Sequence, residues 1–255
     1  MPKQLTNQWY PAPRYLCRKN IITKYLKKHH SAGESILEIG YGSGDMLVAY
    51  HDLGLAVTGY DFSDVAYETA KQRIAEQELD VKILRSESEI KQRFDYVVAC
   101  EVLEHVENDI DQLMKWKQFI KPNGTFILSV PARMKKWNAN DTWAGHLRRY
   151  EKSELHTKLK SVGLSNVKIL SYPFPANIIL DYLLDKAGKR LLSQEQYQFT
   201  SKEEATKISG VVGPTKRTYH LISNSIVMAP CFWMQRLFFK TDLGSSYVVF
   251  ARRID

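Results

Sequence analysis

Short apolar runs alternate with amphipathic segments along most of the chain, and this alternation predicts the secondary structure. The apolar runs predict strands at residues 35–40, 55–61, 81–86, 93–100, 125–131, 166–172 and 245–253. Apolar positions spaced as on one helix face predict helices at residues 45–54, 63–77, 110–120 and 151–162. Strands that alternate with helices in this way form βαβ units and a parallel sheet covered on both faces. We therefore predict a doubly wound α/β fold.

The pattern loosens in the stretch that precedes the final strand. This stretch is too long for an ordinary loop, so we predict a helical lid at residues 173–243, inserted into a core of residues 33–172 and 244–255. Within the lid, a basic amphipathic helix at 177–192 and a segment rich in aromatic residues at 226–240 suit a membrane interface. Packing of the same apolar stripes into the core is the alternative interpretation.

Composition places the chain among ordinary globular proteins. Its 255 residues are 44% apolar and 25% charged, which excludes the fibrous and disordered classes. The sequence shows no secretory leader and no apolar run of spanning length, and its three scattered cysteines form no disulfide pattern. We therefore expect a cytoplasmic protein, and peripheral membrane contact through the lid stays open.

The net charge of +8 is concentrated at the N-terminus. Residues 1–30 hold seven Lys or Arg and no acid, so the remainder of the chain carries only +1. We predict a basic helical arm over residues 1–32 that could meet RNA, anionic lipid or a phosphorylated substrate. A solvated helix face that carries lysines is the alternative.

A glycine-rich turn joins the first strand to the first helix of the predicted core, in the sequence ILEIGYGSGDML at residues 36–47. It lacks the Lys and Ser or Thr of a P-loop, and Asp45 stands where a dinucleotide fingerprint has its third glycine. A carboxylate beside a pyrophosphate is unfavourable, whereas beside a cationic ligand it is not. We therefore predict that Gly40, Gly42 and Gly44 let the backbone approach a cationic nucleoside without phosphates, for which S-adenosylmethionine fits.

Polar and aromatic side chains at the ends of the first two strands fit the same ligand. Glu38 supplies an acceptor near the α-ammonium group of S-adenosylmethionine. Asp61 ends the second strand, where an ionised carboxylate can accept hydrogen bonds from both ribose hydroxyls. Phe62 is placed to lie against the adenine. Because Glu38 and Asp61 lie at the ends of neighbouring strands, the glycine turn becomes a strong indication of an S-adenosylmethionine site.

Four segments between residues 33 and 131 resemble the class I S-adenosylmethionine-dependent methyltransferases, in the branch that includes the ubiquinone-biosynthesis enzymes. They are LEIGYGSGDML, GYDFSDVA, FDYVVACEVLEHVEND and FIKPNGTFILSVP, and the likeness continues more loosely through GHLRRYEKSEL and the last strand. The resemblance implies a seven-stranded, mostly parallel sheet of order 3-2-1-4-5-7-6 with an antiparallel last strand. The family often has Gly-Asp after strand three; here Ser86 and Glu87 stand there, so we expect adenine contact mainly through the backbone. We place Cys100, at the end of strand four, in the same pocket.

A Glu-x-x-Glu-His cluster follows the fourth strand. Two related branches, the ubiquinone O-methyltransferases and the small-RNA terminal 2′-O-methyltransferases, use this pattern to bind a divalent cation, so the resemblance implies Glu101, Glu104 and His105 as ligands of Mg²⁺. His146 is a candidate for an extra ligand. We also take Glu101, His105 and His146 as candidate catalytic residues, with a histidine removing the acceptor's proton. Capping of the next helix by the same residues is the alternative.

A polar, tryptophan-containing loop at residues 132–150 is predicted to frame the entrance of the site. We assign Trp143, Arg148, Arg149 and Tyr150 to the substrate, because guanidinium groups recognise carboxylates and phosphates. This assignment favours an anionic acceptor. A solvated loop whose arginines pair with nearby glutamates is the alternative.

These observations predict methyl transfer to a small-molecule or lipid-linked acceptor, at oxygen. Methyl transfer from a sulfonium is an in-line displacement with a good leaving group, so the protein chiefly aligns the acceptor and excludes water. An RNA methyltransferase is one alternative, disfavoured because the chain shows no RNA-binding module. A catalytically silent S-adenosylmethionine-binding protein is another. The sequence does not indicate an oligomeric state.

Overall fold

A seven-stranded sheet forms the centre of the protein. The computed structural model describes residues 11–194, 205–206 and 224–255. The strands are β1 (Ser35–Ile39), β2 (Ala56–Tyr60), β3 (Val81–Leu84), β4 (Phe94–Cys100), β5 (Ile120–Pro131), β6 (Leu164–Tyr172) and β7 (Ser246–Arg253). Their order is β3-β2-β1-β4-β5-β7-β6, and β7 runs antiparallel to both of its neighbours while the other pairs are parallel. The predicted fold class, strand order and direction of the last strand are confirmed.

Helices cover both faces of this sheet. They are α1 (Pro13–His29), α2 (Asp45–His51), α3 (Asp64–Glu76), α4 (Asp109–Gln118), α5 (Ala139–Ala144), α6 (Lys152–Ser161), α7 (Asn177–Leu192) and α8 (Ala229–Met234). Successive residues of β1 belong to opposite cores: Ile36 packs with the cluster under α1 and α2, and Leu37 with the cluster under α4 and α6. A strand buried on both faces is apolar throughout, which is why the run SILEI signalled a strand without alternation.

Two stretches differ from the predicted boundaries. The fifth strand begins at Ile120 rather than 125, and α4 ends at Gln118, so Pro122 lies inside the strand segment. Residues 132–150 are not all loop, because α5 forms inside them. Asn138 caps α5, and Asp141 returns the contact by accepting a hydrogen bond from the Asn138 N–H at 2.8 Å.

The arm and the lid are partly described. Helix α1 packs on the core through Leu16, Ile22 and Leu26, while three of its four lysines, at positions 24, 27 and 28, are exposed. Helix α7 coincides with the helix predicted in the lid. Residues 1–10, 195–204 and 207–223, which belong to the predicted arm and lid, lie outside the described residues, so the domain boundaries stay predictions. Among the described helices, none is long and apolar enough to cross a membrane.

Candidate active site

The carboxyl ends of β1, β2, β4 and β5 meet along one edge of the sheet, where doubly wound folds bind their ligands. The glycine turn after β1 lies at this edge, with φ angles of 74° at Gly40, 52° at Gly42 and 74° at Gly44. Only glycine adopts such angles without strain. A Cβ atom on Gly40 would lie 2.5 Å from Cγ2 of Val102, so the turn closely approaches the loop that follows β4.

Asp61 organises the cofactor end of this edge. Its carboxylate accepts hydrogen bonds from the N–H groups of Gly42 and Ser63, each at 2.9 Å. Burial raises the pKa of Asp61 above its ordinary value, although the two N–H groups oppose the shift. The next residue, Phe62, leaves 48% of its surface exposed. The contacts of the Asp61 carboxylate with a ribose and of the Phe62 ring with an adenine stay predictions.

Glu38 is buried, and one of its carboxylate oxygens accepts no hydrogen bond from the described residues. Its side chain ends β1 and only 3% of the residue is exposed. Its Oε2 atom has no hydrogen-bond partner among the described residues. Burial raises the pKa of Glu38 well above its ordinary value, and Arg18 opposes the shift. A buried acceptor without a partner calls for a donor, and the α-ammonium of S-adenosylmethionine is a donor of the right charge.

Asp45 fastens α1 to the glycine turn. Its carboxylate accepts a hydrogen bond from the Tyr15 hydroxyl at 2.5 Å, and it forms ion pairs with Lys19 at 2.6 Å and Arg73 at 3.3 Å. From the sequence, Asp45 excludes only a pyrophosphate, and no local pattern indicates its anchoring role. One basic residue of the arm, Lys19, is therefore directed at the core rather than at solvent.

Glu101 meets the two arginines of α1. It takes a left-handed φ of 57° directly after β4, a costly conformation that is enriched at functional sites. Its carboxylate lies 3.5 Å from Arg14 and 3.3 Å from Arg18, and it accepts a hydrogen bond from the Ser129 hydroxyl at 2.6 Å. Burial raises the pKa of Glu101, but the two guanidinium groups outweigh it and hold the pKa below its ordinary value. Sequence reasoning missed both arginines, because their partner is 83 to 87 positions away.

A histidine and a carboxylate form a buried pair beside this group. His146 Nδ1 lies 2.8 Å from Asp141 Oδ1, and Arg149 holds the same carboxylate with two bonds of 3.0 and 2.7 Å. Burial raises the pKa of Asp141, but His146 and Arg149 outweigh it and lower the pKa to about 2. The His146 ring is thereby fixed, with Nε2 directed at Glu104 Oε1, which is 3.8 Å away.

Glu104 and His105 complete the cluster. Glu104 is fully buried, and neither of its carboxylate oxygens has a hydrogen-bond partner among the described residues. Burial and the neighbouring Glu101 raise the pKa of Glu104 well above its ordinary value. The rings of His105 and His146 meet edge to face with centroids 4.8 Å apart, and burial, aided by His146, lowers the pKa of His105 to about 3. His105 Nδ1 lies 3.0 Å from the Thr206 hydroxyl.

The chain matches a known protein family over most of its length. A family profile described as a methyltransferase domain matches residues 10–169, which is more than half of the chain. The chain belongs to this methyltransferase family. The strand order, the glycine turn and Asp61 place it in the class I, S-adenosylmethionine-dependent group. The predicted family and cofactor are confirmed.

Individual relatives of the methyltransferase are similar over part of their length. The mitochondrial ubiquinone biosynthesis O-methyltransferase of Schizosaccharomyces pombe is 33% identical over 46% of this chain and 45% of that protein. The chain spans about half the length of the curated relatives it matches.

Among solved structures, the cyclase SpnF has a TM-score of 0.59 at 14% identity, over 92% of this chain and 80% of that one. Phosphoethanolamine N-methyltransferase 2 of Haemonchus contortus has a TM-score of 0.58 at 14% identity, over 93% and 53%. At this identity the two structures show the shared fold alone.

Two further residues assigned to the cofactor, Ser86 and Glu87, have structural partners in the methyltransferase, and a third, Cys100, is buried. The Ser86 hydroxyl caps the short 3₁₀ turn that follows β3 by accepting a hydrogen bond from the Ser88 N–H. Glu87 accepts a hydrogen bond from the Gln112 side chain at 3.1 Å. Burial raises the pKa of Cys100 to about 12, so its thiol is neutral at the end of β4. Their contacts with the cofactor stay predictions.

The four residues assigned to the substrate are turned into the protein. Arg149 is 3% exposed and its guanidinium is held by Asp141. Arg148 pairs with Asp109 at 3.2 Å, and the Tyr150 hydroxyl bonds to the same carboxylate at 3.0 Å. Trp143 is 6% exposed. Acids brought by α5 and α4 hold both guanidinium groups, and the binding of an anionic acceptor by these two arginines stays a prediction. Their partners are Asp141 and Asp109, not the glutamates that follow them in the sequence.

Three candidate metal ligands lie close together, and His146 takes the place that was predicted for Glu101. Candidate ligand atoms of Glu104, His105 and His146 lie within 4.8 Å of one another. Glu101 instead faces Arg14 and Arg18. The unpartnered, buried carboxylate of Glu104 and two imidazoles fit a divalent cation. The cation itself stays a prediction.

Proposed function

We propose that the protein transfers the methyl group of S-adenosylmethionine to a hydroxyl oxygen of a small molecule. The observation that carries the proposal is the buried pair of His146 and Asp141, next to Glu104 and beside the cofactor end of the sheet. An oxygen acceptor with a high pKa needs a base in addition to alignment. The similarity to a ubiquinone biosynthesis O-methyltransferase supports the same acceptor atom.

Each residue has a defined task in this reaction. The acceptor oxygen attacks the methyl carbon as the sulfonium bond breaks, and S-adenosylhomocysteine leaves. Glu38 and Asp61 hold the ammonium and the ribose of the cofactor, so that the methyl group has one position. Asp141 accepts from Nδ1 of His146 and leaves Nε2 to take the proton of the hydroxyl.

The guanidinium groups that face the site are those of Arg14 and Arg18. Both lie within 3.5 Å of Glu101 and neither is more than 17% exposed. One carboxylate faces two guanidinium groups, so this end of the site carries excess positive charge. We expect an acidic group, on the acceptor or on the methionine part of the cofactor, to lie here.

A divalent cation held by Glu104, His105 and His146 would bind and acidify a hydroxyl group. His146 Nε2 serves either role, so chelation distinguishes them. If His146 is only a base, treatment with a chelator leaves the rate unchanged. If a cation is used, calorimetry shows Mg²⁺ binding to the intact chain, and Glu104→Gln abolishes that binding.

We further propose that the acceptor is lipid-linked and that the lid meets a membrane. Three apolar side chains of α7 support this, because Ile178, Ile179 and Tyr182 are each about two-thirds exposed at 65, 67 and 66%. Side chains of this kind are drawn to the headgroup boundary of a bilayer. The acceptor would then be presented at the membrane surface.

Incubation of cell-extract fractions with methyl-labelled cofactor tests the function. We expect label in hydroxyl-bearing small molecules of the lipid fraction. His146→Asn is expected to lower the rate by about 100-fold or more while S-adenosylhomocysteine binding is retained. The control is His156→Asn, in α6 and outside the cluster. Label that enters only RNA, or no fraction at all, contradicts the proposal.

A further inference from the structure

We propose that a groove between α1 and the segment around α8 binds the headgroup of an acidic phospholipid and docks the protein on a bilayer. The groove has a volume of about 470 Å³. It lies apart from the methyl-transfer site. Its walls are lined by Lys24 of α1 and by Ile226, Ala229, Phe232, Trp233 and Arg236.

The charge of the groove selects an anion. Lys24 and Arg236 face the same space, and the lining residues include no acid. Among the described residues, neither cation has a carboxylate partner, whereas Arg14, Arg18 and Lys19 of α1 each have one. Partial burial and then the neighbouring guanidinium lower the pKa of Lys24. A phosphate between the two cations relieves this repulsion and makes charge-assisted hydrogen bonds.

The rim of the groove selects a bilayer over a soluble anion. Three large apolar side chains in one short stretch are left in water: Ile226 is 82% exposed, Trp233 is 65% exposed and Leu237 is 64% exposed. A small phosphate would cover none of them. At a bilayer surface they would enter the boundary between headgroups and acyl chains, where tryptophan is favoured. The apolar rim and the basic centre of the groove together match the surface of a bilayer that contains acidic phospholipids.

The groove also lies at a useful distance from the active site. Lys24 follows Arg14 by ten positions on the same helix, which corresponds to about 15 Å along the axis. Arg14 contacts Glu101 at the end of β4. A headgroup in the groove would therefore hold the acceptor end of the site about 15 Å from the lipid headgroups, within reach of an acceptor that sits in the same membrane.

Sedimentation of the full chain with vesicles tests the proposal without cofactor or acceptor. We expect binding to vesicles of phosphatidylcholine mixed with phosphatidylglycerol, and little binding to phosphatidylcholine alone. Lys24→Gln with Arg236→Gln is expected to weaken binding about 30-fold, because each basic residue near an anionic surface contributes about 1 kcal/mol. Trp233→Ser with Leu237→Ser is expected to reduce binding as well.

The control variant carries Lys91→Gln and Lys115→Gln, which remove the same charge from exposed positions elsewhere, and it should bind as the unaltered chain does. Circular dichroism shows that each variant is folded. Equal binding to both vesicle types, binding to neither, or equal weakening by the control overturns the proposal. Competition by free phosphate without any vesicle binding overturns it as well. Because methyl transfer is assayed separately and without lipid, failure of the docking site is distinguishable from failure of the proposed function.

Discussion

Replacement of Gly188 by alanine tests the packing of the lid against the site. Gly188 is buried in the middle of α7, and a Cβ atom there would lie 2.4 Å from the backbone nitrogen of Asn140 and 2.6 Å from the carbonyl carbon of Ala139. Both atoms belong to the backbone of α5, which cannot turn aside as a side chain can. Helix α5 also carries Asp141, which holds His146.

Two effects of the Gly188→Ala change oppose each other. Alanine is favoured over glycine inside a helix by about 1 kcal/mol. Overpacking against a filled surface costs about 1–3 kcal/mol, and contacts below 3 Å with backbone put this site at the upper end of that range. We therefore expect a net loss of about 1–2 kcal/mol, which for a domain of this size lowers Tm by roughly 2–8 °C.

Thermal unfolding followed by circular dichroism measures the loss, and hydrogen exchange of the α7 amides shows whether the lid separates first. Ala187→Gly is the matched control, because it removes only helix propensity at the neighbouring position. We expect Gly188→Ala to lower kcat/KM for the acceptor as well, while the control changes stability alone. A variant as stable as the unaltered chain, with α7 equally protected, would refute the close approach of the two helices.

Other predictions follow from single sites. If Asp61 binds the ribose as proposed, Asp61→Ala removes two charge-assisted hydrogen bonds worth about 1.5–3 kcal/mol each, so calorimetry should show S-adenosylhomocysteine binding weakened by about 100-fold or more; unchanged affinity would contradict the assigned role. Gly40→Ala should lose cofactor binding, because a side chain there collides with Val102 at a φ of 74°; full retention argues against that close contact. Burial raises the pKa of Asp109, but hydrogen bonds from Lys158 and Tyr150 outweigh it and lower the pKa. The folded pKa is then below the unfolded value of about 3.9, so the stabilisation is present above about pH 4 and is lost as the pH falls below it. Asp109→Asn should flatten this part of the stability curve, and an unaltered curve would exclude the linkage.

Much of the cofactor end was predictable because its residues are fixed by local rules. Glu38 and Asp61 close buried strands, and parallel strands end at the same edge of a sheet. The acceptor end was less predictable. Whether Arg149 is free depends on whether residues 139–144 form a helix that presents Asp141, and the polar composition of that stretch favoured a loop.

Ion pairs between residues far apart in the sequence could not be predicted either. Nothing near Arg14 or Arg18 in the sequence indicates that both reach Glu101, because the contact arises only when α1 packs across the sheet. The sequence predicts a basic arm that meets either a partner or solvent, whereas Lys19 and the two arginines lie against acids of the core. The hydrophobic periodicity of one sequence shows which face of a helix is apolar. It does not show which carboxylate lies opposite the basic residues of that helix.

The pairing of Arg14 with Glu101 has a consequence for how the protein is made. Tyr15 and Lys19 of α1 contact Asp45, which is made soon after the helix, whereas Arg14 pairs with a carboxylate 87 positions later. The contacts of α1 with the core are therefore completed only after β4 has been synthesised. Until then Leu16, Ile22 and Leu26, all buried in the finished protein, are covered only in part, because their cluster also includes later residues such as Ile127. A nascent chain halted before residue 101 should therefore be held by chaperones, and one that has passed β5 should be released.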